Sequence, residues 1–548
     1  MSRASLREVA GLTGALRGDR RAAWLRWFAP RPTVSIAMAA ESGAADSGGA
    51  SLMRQAGPLI AARLFTAVLT LSIPLVLARV LPLAEYGTYK QLFLIALTLS
   101  SILPFGVGQS LYYFIPRTAD PRVYFGQTLL FLLAAGAVAA VGLFAAMPHV
   151  AAAFANPGLL EHRLPLALYT GFTVAASPLE LSMTSQGQTR RSAATYLVWD
   201  SARAAAFVVP AATGRGLGAM MTALTAFAAL RLVAAWVVMV GAKRGPLFDR
   251  RLFAAQLAYA VPFGMAMLVA IPQQYAHQYV VASTVAPALF AIYAAGCFDP
   301  PFVDLLYTPT GEVLMVRLGA LEKAGRAGES VAAFREAAAH LARYLLPGVV
   351  FLWAIAPEFV IAVFGQRFAA SATVFRIWLL AIPFGIFPMD AALRARNETR
   401  HLLRAYVVKA LATVPLVWAG VTRFGIVGGV ASYVAAELVG KTTLAARLPR
   451  ALSDAGVRPT LQALVPWSEV SRAAIGGALA AIGGVVVLRA APALEAPSAA
   501  ATALYRFVPL AIAGAVGAAI YLAVLWMTGV RPATVLGTLR SRRPAGAP

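Results

Sequence analysis

The chain repeats itself, and a duplicated apolar unit leaves few folds open. Ser177-Pro178-Leu179-Glu180 is answered by Phe387-Pro388-Met389-Asp390, and Gln188-Thr189-Arg190 by Glu398-Thr399-Arg400, both at an offset of 210 residues. The same offset matches Tyr196 with Tyr406 and Arg231 with Lys441. Ala146-Met147-Pro148-His149 pairs with Ile355-Ala356-Pro357-Glu358 at 209, and Ala78, Pro82, Tyr86 and Tyr89 pair with Ala282, Ala286, Phe290 and Tyr293 at 204. Matches in one order with slowly drifting offsets argue for duplication of a unit of about 200 residues. In a chain with 59% hydrophobic residues, 13% charged residues and a mean hydropathy of +0.71, such a repeat is a transporter pattern rather than a solenoid.

The same numbers place the chain with polytopic membrane proteins. Its 45 glycines and 34 prolines suit helices that bend, because membrane helices tolerate both when neighbours satisfy the freed backbone groups. A net charge of +24 would suggest nucleic acid in a soluble protein, but here the basic residues fall between apolar stretches, so topology explains them and no nucleic-acid partner is expected. A lone Cys297 forms no internal disulfide, and no cysteine–histidine cluster offers a metal site. No nucleophile–base set, phosphate-cradling glycine loop or nucleotide motif is present, so neither an enzyme nor a cofactor is expected.

Segments long enough to cross a hydrocarbon core fall near 57–79, 88–114, 124–147, 164–185, 193–212 and 217–241, then 256–281, 287–315, 338–364, 369–393, 405–422 and 425–446. Two more, 472–489 and 505–528, lie beyond the repeat. The expected fold is an all-α polytopic membrane protein of about 14 transmembrane helices, in two pseudo-symmetric six-helix lobes plus a C-terminal helix pair. Asp299, Asp304 and Glu312 interrupt 287–315, which makes it the least regular span. The units are a basic tail at 1–52, lobes at 53–245 and 246–450, and the helix pair with a cytoplasmic tail at 451–548. The tail at 1–52 lacks a continuous apolar run, so it is expected to be disordered and cytoplasmic rather than a cleaved signal, and Met38 or Met53 is an alternative start. Alternate loops are basic: Arg117 and Arg122, Arg190 and Arg191, Lys243 to Arg251, Arg317 to Arg335, Arg394 to Arg404, and Arg447 to Arg458. The opposite loops hold mostly single charges such as Arg163, Arg215, Arg367 and Arg423, so the basic side and both termini are placed in the cytoplasm. The charged stretch 318–343 is expected to lie along the cytoplasmic interface between the lobes.

Leu77-Ala78-Arg79-Val80-Leu81 followed by Tyr86-Gly87-Thr88-Tyr89 resembles the passage from helix 1 to helix 2 in Wzx-type polysaccharide flippases. Gly106 through Arg117 resembles that family's helix 2 exit, and Phe364-Gly365 followed by Ala372, Phe375, Arg376 and Ile377 resembles its helix 9 to helix 10 passage. The likeness covers about 55–450, and it rests on motif order, repeat and topology together. It implies membership of the multidrug/oligosaccharidyl-lipid/polysaccharide exporter superfamily, with two six-helix lobes around a central cavity. It further implies a bacterial inner-membrane protein of surface polysaccharide, O-antigen or lipopolysaccharide biosynthesis. The substrate would be a lipid-linked oligosaccharide, and a polymerase and a chain-length regulator would be partners.

Charges at bilayer depth cost at least ~2.5–3.5 kcal/mol each and so face protein or water. Arg63, about two turns into the first span, meets either an anionic substrate group or the cytoplasmic headgroups. Asp200 and Arg203 sit three apart, and Glu437 and Lys441 four apart, so each pair can close on its own helix face. Arg231 occupies the repeat position of Lys441, but Phe227 stands where Glu437 does, which makes Arg231 the expected unpaired cation. Two further mismatches set Trp199 against Lys409 and Asp200 against Ala410. Glu180 and Asp390 each follow a proline and suit a symmetric structural role at a helix kink. Gln273, Gln274 and His277 cluster on one helix, where they contact sugar hydroxyls, carry a proton or simply pack. Asp299 and Asp304, with Tyr307, bind a cation or balance arginines, and Tyr112 and Tyr113 belong to an interfacial aromatic belt.

A cavity lined by Arg63, Arg203 and Arg231 offsets the charge of a diphosphate that cannot enter hydrocarbon unaided, while its lipid tail stays in the bilayer. Moving two negative charges outward across an inside-negative membrane gains roughly 4–5 kcal/mol per 100 mV, so ion coupling helps without being obligatory. The alternative on the same fold is a cation-coupled multidrug exporter, for which Asp299, Asp304 and His277 speak.

Overall fold

A computed structural model of the chain describes residues 65–66, 68–118, 120–241, 245–453, 458–490 and 499–528. The expected tail at 1–52 and Arg63 lie outside these residues. The helices of seven residues or more are α1 (Val68–Val80), α2 (Leu83–Ile102), α3 (Val107–Phe114), α4 (Arg122–Ala153), α5 (Arg163–Ala176), α6 (Leu179–Ser185), α7 (Thr189–Ala212) and α8 (Gly216–Met239). The second half gives α9 (Arg250–Ala282), α10 (Pro287–Gly296), α11 (Pro301–Lys323), α12 (Ser330–Ala354), α13 (Ala356–Phe364), α14 (Ser371–Leu379), α15 (Met389–Ala395) and α16 (Thr399–Ala451). The last pair is α17 (Trp467–Ala490) and α18 (Ala499–Met527). The described residues hold no strand.

Nine helices among the described residues are long and apolar enough to cross a membrane, or ten if the bent pair α10–α11 counts as one span. The expected number of fourteen is not reached by that measure, for local reasons. The span at 164–185 is divided at Ser177-Pro178 into α5 and α6, and α7 carries Arg190, Arg191, Asp200 and Arg203. The 287–315 span bends by 51° at Pro300-Pro301, two residues that supply no backbone N–H to a helix. The 53-residue α16 is a hairpin, because Gly425 (φ 63°, ψ −155°) takes a conformation that residues with a Cβ avoid. Beyond it the chain turns back: a Cβ on Gly428 would lie 2.2 Å from the Gly420 carbonyl oxygen, and His401 contacts the Thr443 carbonyl at 2.7 Å.

Lipid is as apolar as leucine, so close packing rather than water exclusion must hold membrane helices together. The repeat positions near the start of each half supply that packing. Tyr86, Phe290 and Tyr293 are fully buried where α2 lies against its mate α10. A Cβ on Gly87 would sit 1.9 Å from the Pro287 carbonyl oxygen, so only glycine permits this approach. The Gln91 amide donates to the Ala282 carbonyl at 3.3 Å and accepts from Asn156 at 2.6 Å, tying α2, the α4–α5 loop and the end of α9 together.

Further contacts join the two halves at the same seam, on the side expected to be extracytoplasmic. Arg367 donates to the Arg79 carbonyl at 2.6 Å, Arg79 donates to the Ala362 carbonyl, and the Phe368 ring meets Tyr86 edge-on at 5.1 Å. Helix α9 touches both halves. Its Gln256 amide donates to Ser110 and Thr128 at 2.7 and 2.8 Å, while its far end places Val281 against Gly429. Pro262 and Pro272 lie inside it between these attachments. The helices α17 and α18 dock on α12, where the Tyr521 hydroxyl donates to the Arg343 carbonyl at 2.6 Å and Arg343 pairs with Glu469 at 3.0 Å.

Candidate functional site

In the first half, the α5–α6 break at Pro178 turns Glu180 inward to a side-chain exposure of 3%, against α8. There it meets Arg231 at 2.7 Å. The expectation that Arg231 is the unpaired cation is therefore corrected: its partner comes from another helix, not from the position that matches Glu437. Arg203 closes on Asp200 at 3.1 Å, as its three-residue spacing allows, and also donates to the Thr70 hydroxyl of α1 at 2.8 Å. Both guanidiniums lie within electrostatic reach of the buried Tyr169. Phe207, one turn above Arg203 on α7, packs on Tyr89 and Phe93 of α2 with centroids 6.1 and 4.9 Å away.

Between Tyr89 and Phe93 lies Lys90, half-buried, its ammonium 5.6 Å from the ring centres of both Tyr86 and Tyr89. Among the described residues it has no carboxylate partner, so the cation–π cradle is its visible support.

The second half is built differently at the mismatched mates. Lys409 reaches across the α16 hairpin to Glu437, whereas the corresponding Trp199 and Phe227 meet as rings with centroids 5.9 Å apart. One half uses an ion pair where the other uses an aromatic contact. The expected Glu437–Lys441 pair on one helix face is thus corrected as well: Glu437 is taken by Lys409, and Lys441 has no carboxylate within bridging distance among the described residues.

Around that pair sits an aromatic cluster. The Tyr433 ring lies 5.4 Å from the Lys409 ammonium, stacks on Trp378 at 5.0 Å and faces His277 at 4.2 Å. His277 is fully packed, its Nδ1 2.7 Å from the Tyr293 hydroxyl, and Trp378 donates to Asp299 at 2.9 Å. Gln273 is buried and Gln274 exposed, so the three polar groups expected to act together point to different surroundings. The grouping of Asp299, Asp304 and Tyr307 also separates: Tyr307 donates to Asp390, while Asp304 accepts from Thr308 at 2.9 Å. Asp390 further pairs with Arg394 at 3.1 Å. Tyr113 stacks on Tyr259 at 4.9 Å and carries the Arg117 guanidinium on its face. No group of three or more histidine, cysteine, aspartate or glutamate side chains suited to a metal occurs among the described residues.

A family profile described as "Polysaccharide biosynthesis protein" matches residues 76–373, more than half of the chain. The chain belongs to this family. The backbone of this polysaccharide biosynthesis protein is similar to that of the lipid II flippase MurJ in an inward closed conformation, with a TM-score of 0.66 and 11% identity over 86% of this chain and 98% of MurJ. It is also similar to an inward-facing multidrug resistance MATE family transporter of the MOP superfamily, with a TM-score of 0.57 and 14% identity over 72% of this chain and 96% of that one. At such identities the likeness concerns the fold. No curated protein matches the chain.

Two features of this polysaccharide biosynthesis protein escaped the sequence. Lys90 is the one charge inside the 88–114 stretch, and that isolation was the signal available. The Trp378–Tyr433–His277 stack joins three helices and leaves no local pattern.

Proposed function

We propose that this protein flips an isoprenoid-diphosphate-linked oligosaccharide from the cytoplasmic to the outer leaflet by alternating access between its two lobes, taken as 53–245 and 246–450. The observation that carries the proposal is the charge inside the first lobe. Apart from charges at helix ends such as Arg79 and Glu85, its described spans carry three cations, Lys90, Arg203 and Arg231, and two carboxylates, Asp200 and Glu180. An interior with one cation in excess suits a diphosphate that has left its hydration shell. Arg63 is the further cation that the sequence would add to this wall. The family and the fold shared with MurJ support the same reading. It places the protein in the bacterial cytoplasmic membrane with both termini inside, and makes the lipid-linked oligosaccharide, membrane lipids, a polysaccharide polymerase and a chain-length regulator its partners.

A cation-coupled multidrug exporter is the second reading, favoured by the Asp299–Trp378–Tyr433–His277 cluster. Against it, Glu437 in that cluster already holds the Lys409 ammonium. Deletion of the gene, complemented with wild type or with Arg203→Ala and Arg231→Ala, separates the two. The flippase accumulates lipid-linked oligosaccharide on the cytoplasmic leaflet when deleted. A deletion that leaves surface glycan unchanged and raises dye sensitivity rejects it in favour of the exporter.

A further inference from the structure

We infer that Lys441 is the ammonium on the second lobe that contacts the phosphate of the lipid-linked substrate. The inference rests on the diphosphate-lipid reading above and is carried by the comparison of repeat mates. Glu180 and Arg231 of the first half neutralise each other at 2.7 Å. Their mates are Asp390 and Lys441, and these do not meet. Asp390 is occupied by Arg394 at 3.1 Å and by the Tyr307 hydroxyl. The other carboxylate in range is Glu437, one turn away on the same helix, and it is occupied by Lys409 from the opposite leg of the hairpin. Among the described residues Lys441 is thus a half-buried cation whose two possible carboxylate partners have both been drawn elsewhere.

An ammonium within a span costs free energy unless an anion or water meets it. The repeat provides a neutralised version of the same position, so the missing partner is a local departure from the scaffold. A phosphate group supplies what Asp390 does not, and a charge-assisted contact to it needs no displacement of a protein carboxylate. Arg231, already engaged by Glu180, would have to surrender that partner to do the same.

The test uses the full-length protein in lipid nanodiscs and measures binding of farnesyl diphosphate, with farnesol as the uncharged control. Wild type is expected to prefer the diphosphate. Lys441→Met is expected to weaken the diphosphate about tenfold and leave farnesol unchanged, while Lys441→Arg stays within about threefold of wild type. Lys441→Gln serves as a second neutral variant, and protection of the buried Cys297 thiol shows that each variant is folded. If wild type prefers the diphosphate and a folded neutral variant binds it equally well, Lys441 is not the contact and the diphosphate reading stands. If both neutral variants expose Cys297, the lysine is a structural group and the inference is overturned. If wild type does not distinguish the two probes, the diphosphate-lipid reading itself fails.

Discussion

Cutting one side of the Lys409–Glu437 pair should damage the second lobe far more than replacing both sides together. The two side chains retain 12% and 17% exposure, so each is largely desolvated by the α16 hairpin. Removing one partner of such a pair strands the other charge, at a cost of about 3–5 kcal/mol for a buried pair. The residual exposure puts Lys409→Leu or Glu437→Leu near the lower end, about 3 kcal/mol. The double variant Lys409→Trp with Glu437→Phe, which installs the side chains found at the mates Trp199 and Phe227, strands no charge. It should cost about 1–3 kcal/mol for repacking, less than the sum of the single changes. The assay is built into the chain: Cys297 is its single cysteine, is buried, and lies two residues from Asp299 in the adjoining cluster. Labelling of that thiol in detergent reports opening of this lobe, and 3 kcal/mol corresponds to roughly a hundredfold faster labelling. A pair of single variants that label no faster than wild type, or a double variant as labile as the two single effects added, would refute the reasoning.

Gly87→Val should disrupt the α2–α10 seam, because its first side-chain carbon would meet the Pro287 carbonyl; reduced yield of folded protein on size-exclusion chromatography checks it. Glu180→Ala should destabilise the first lobe by about 3 kcal/mol by stranding Arg231, and Glu180→Ala with Arg231→Leu should recover most of that loss in thermal melts. Arg367→Ala removes a charged donor worth about 1.5–3 kcal/mol from the Arg79 carbonyl, so a cysteine placed at buried Ala362 in a Cys297→Ala background should react at least about tenfold faster with a maleimide in detergent.

Helix positions were legible because each apolar run is set by the thickness it must cross, and the hinge at Gly425 falls on the first residue of the span expected at 425–446, just beyond the one expected at 405–422. The tyrosines and phenylalanine matched at the start of each half proved to be the packing of one half on the other. Charge pairing was less legible. Spacing along one helix found Asp200–Arg203, where both partners share a face. It could not find Glu180–Arg231 or Lys409–Glu437, whose partners are brought together by helix packing over sequence separations of 51 and 28 residues. The mismatched mates carried the information, since Lys409 and Glu437 depart from Trp199 and Phe227 together, but only contact between the two helices shows that the departures compensate each other.

The contacts of Arg79 and Arg367 have a consequence for how acidity can act on the seam between the halves. Arg79 and Arg367 both donate to main-chain carbonyls, and neither guanidinium deprotonates nor carbonyl protonates anywhere in the physiological range. This pair of contacts is therefore blind to proton concentration. Its strength is decided by how well water competes for two carbonyl oxygens. The ion pairs Glu180–Arg231, Asp390–Arg394 and Lys409–Glu437 differ from it in kind, because each sets a side-chain charge against a side-chain charge.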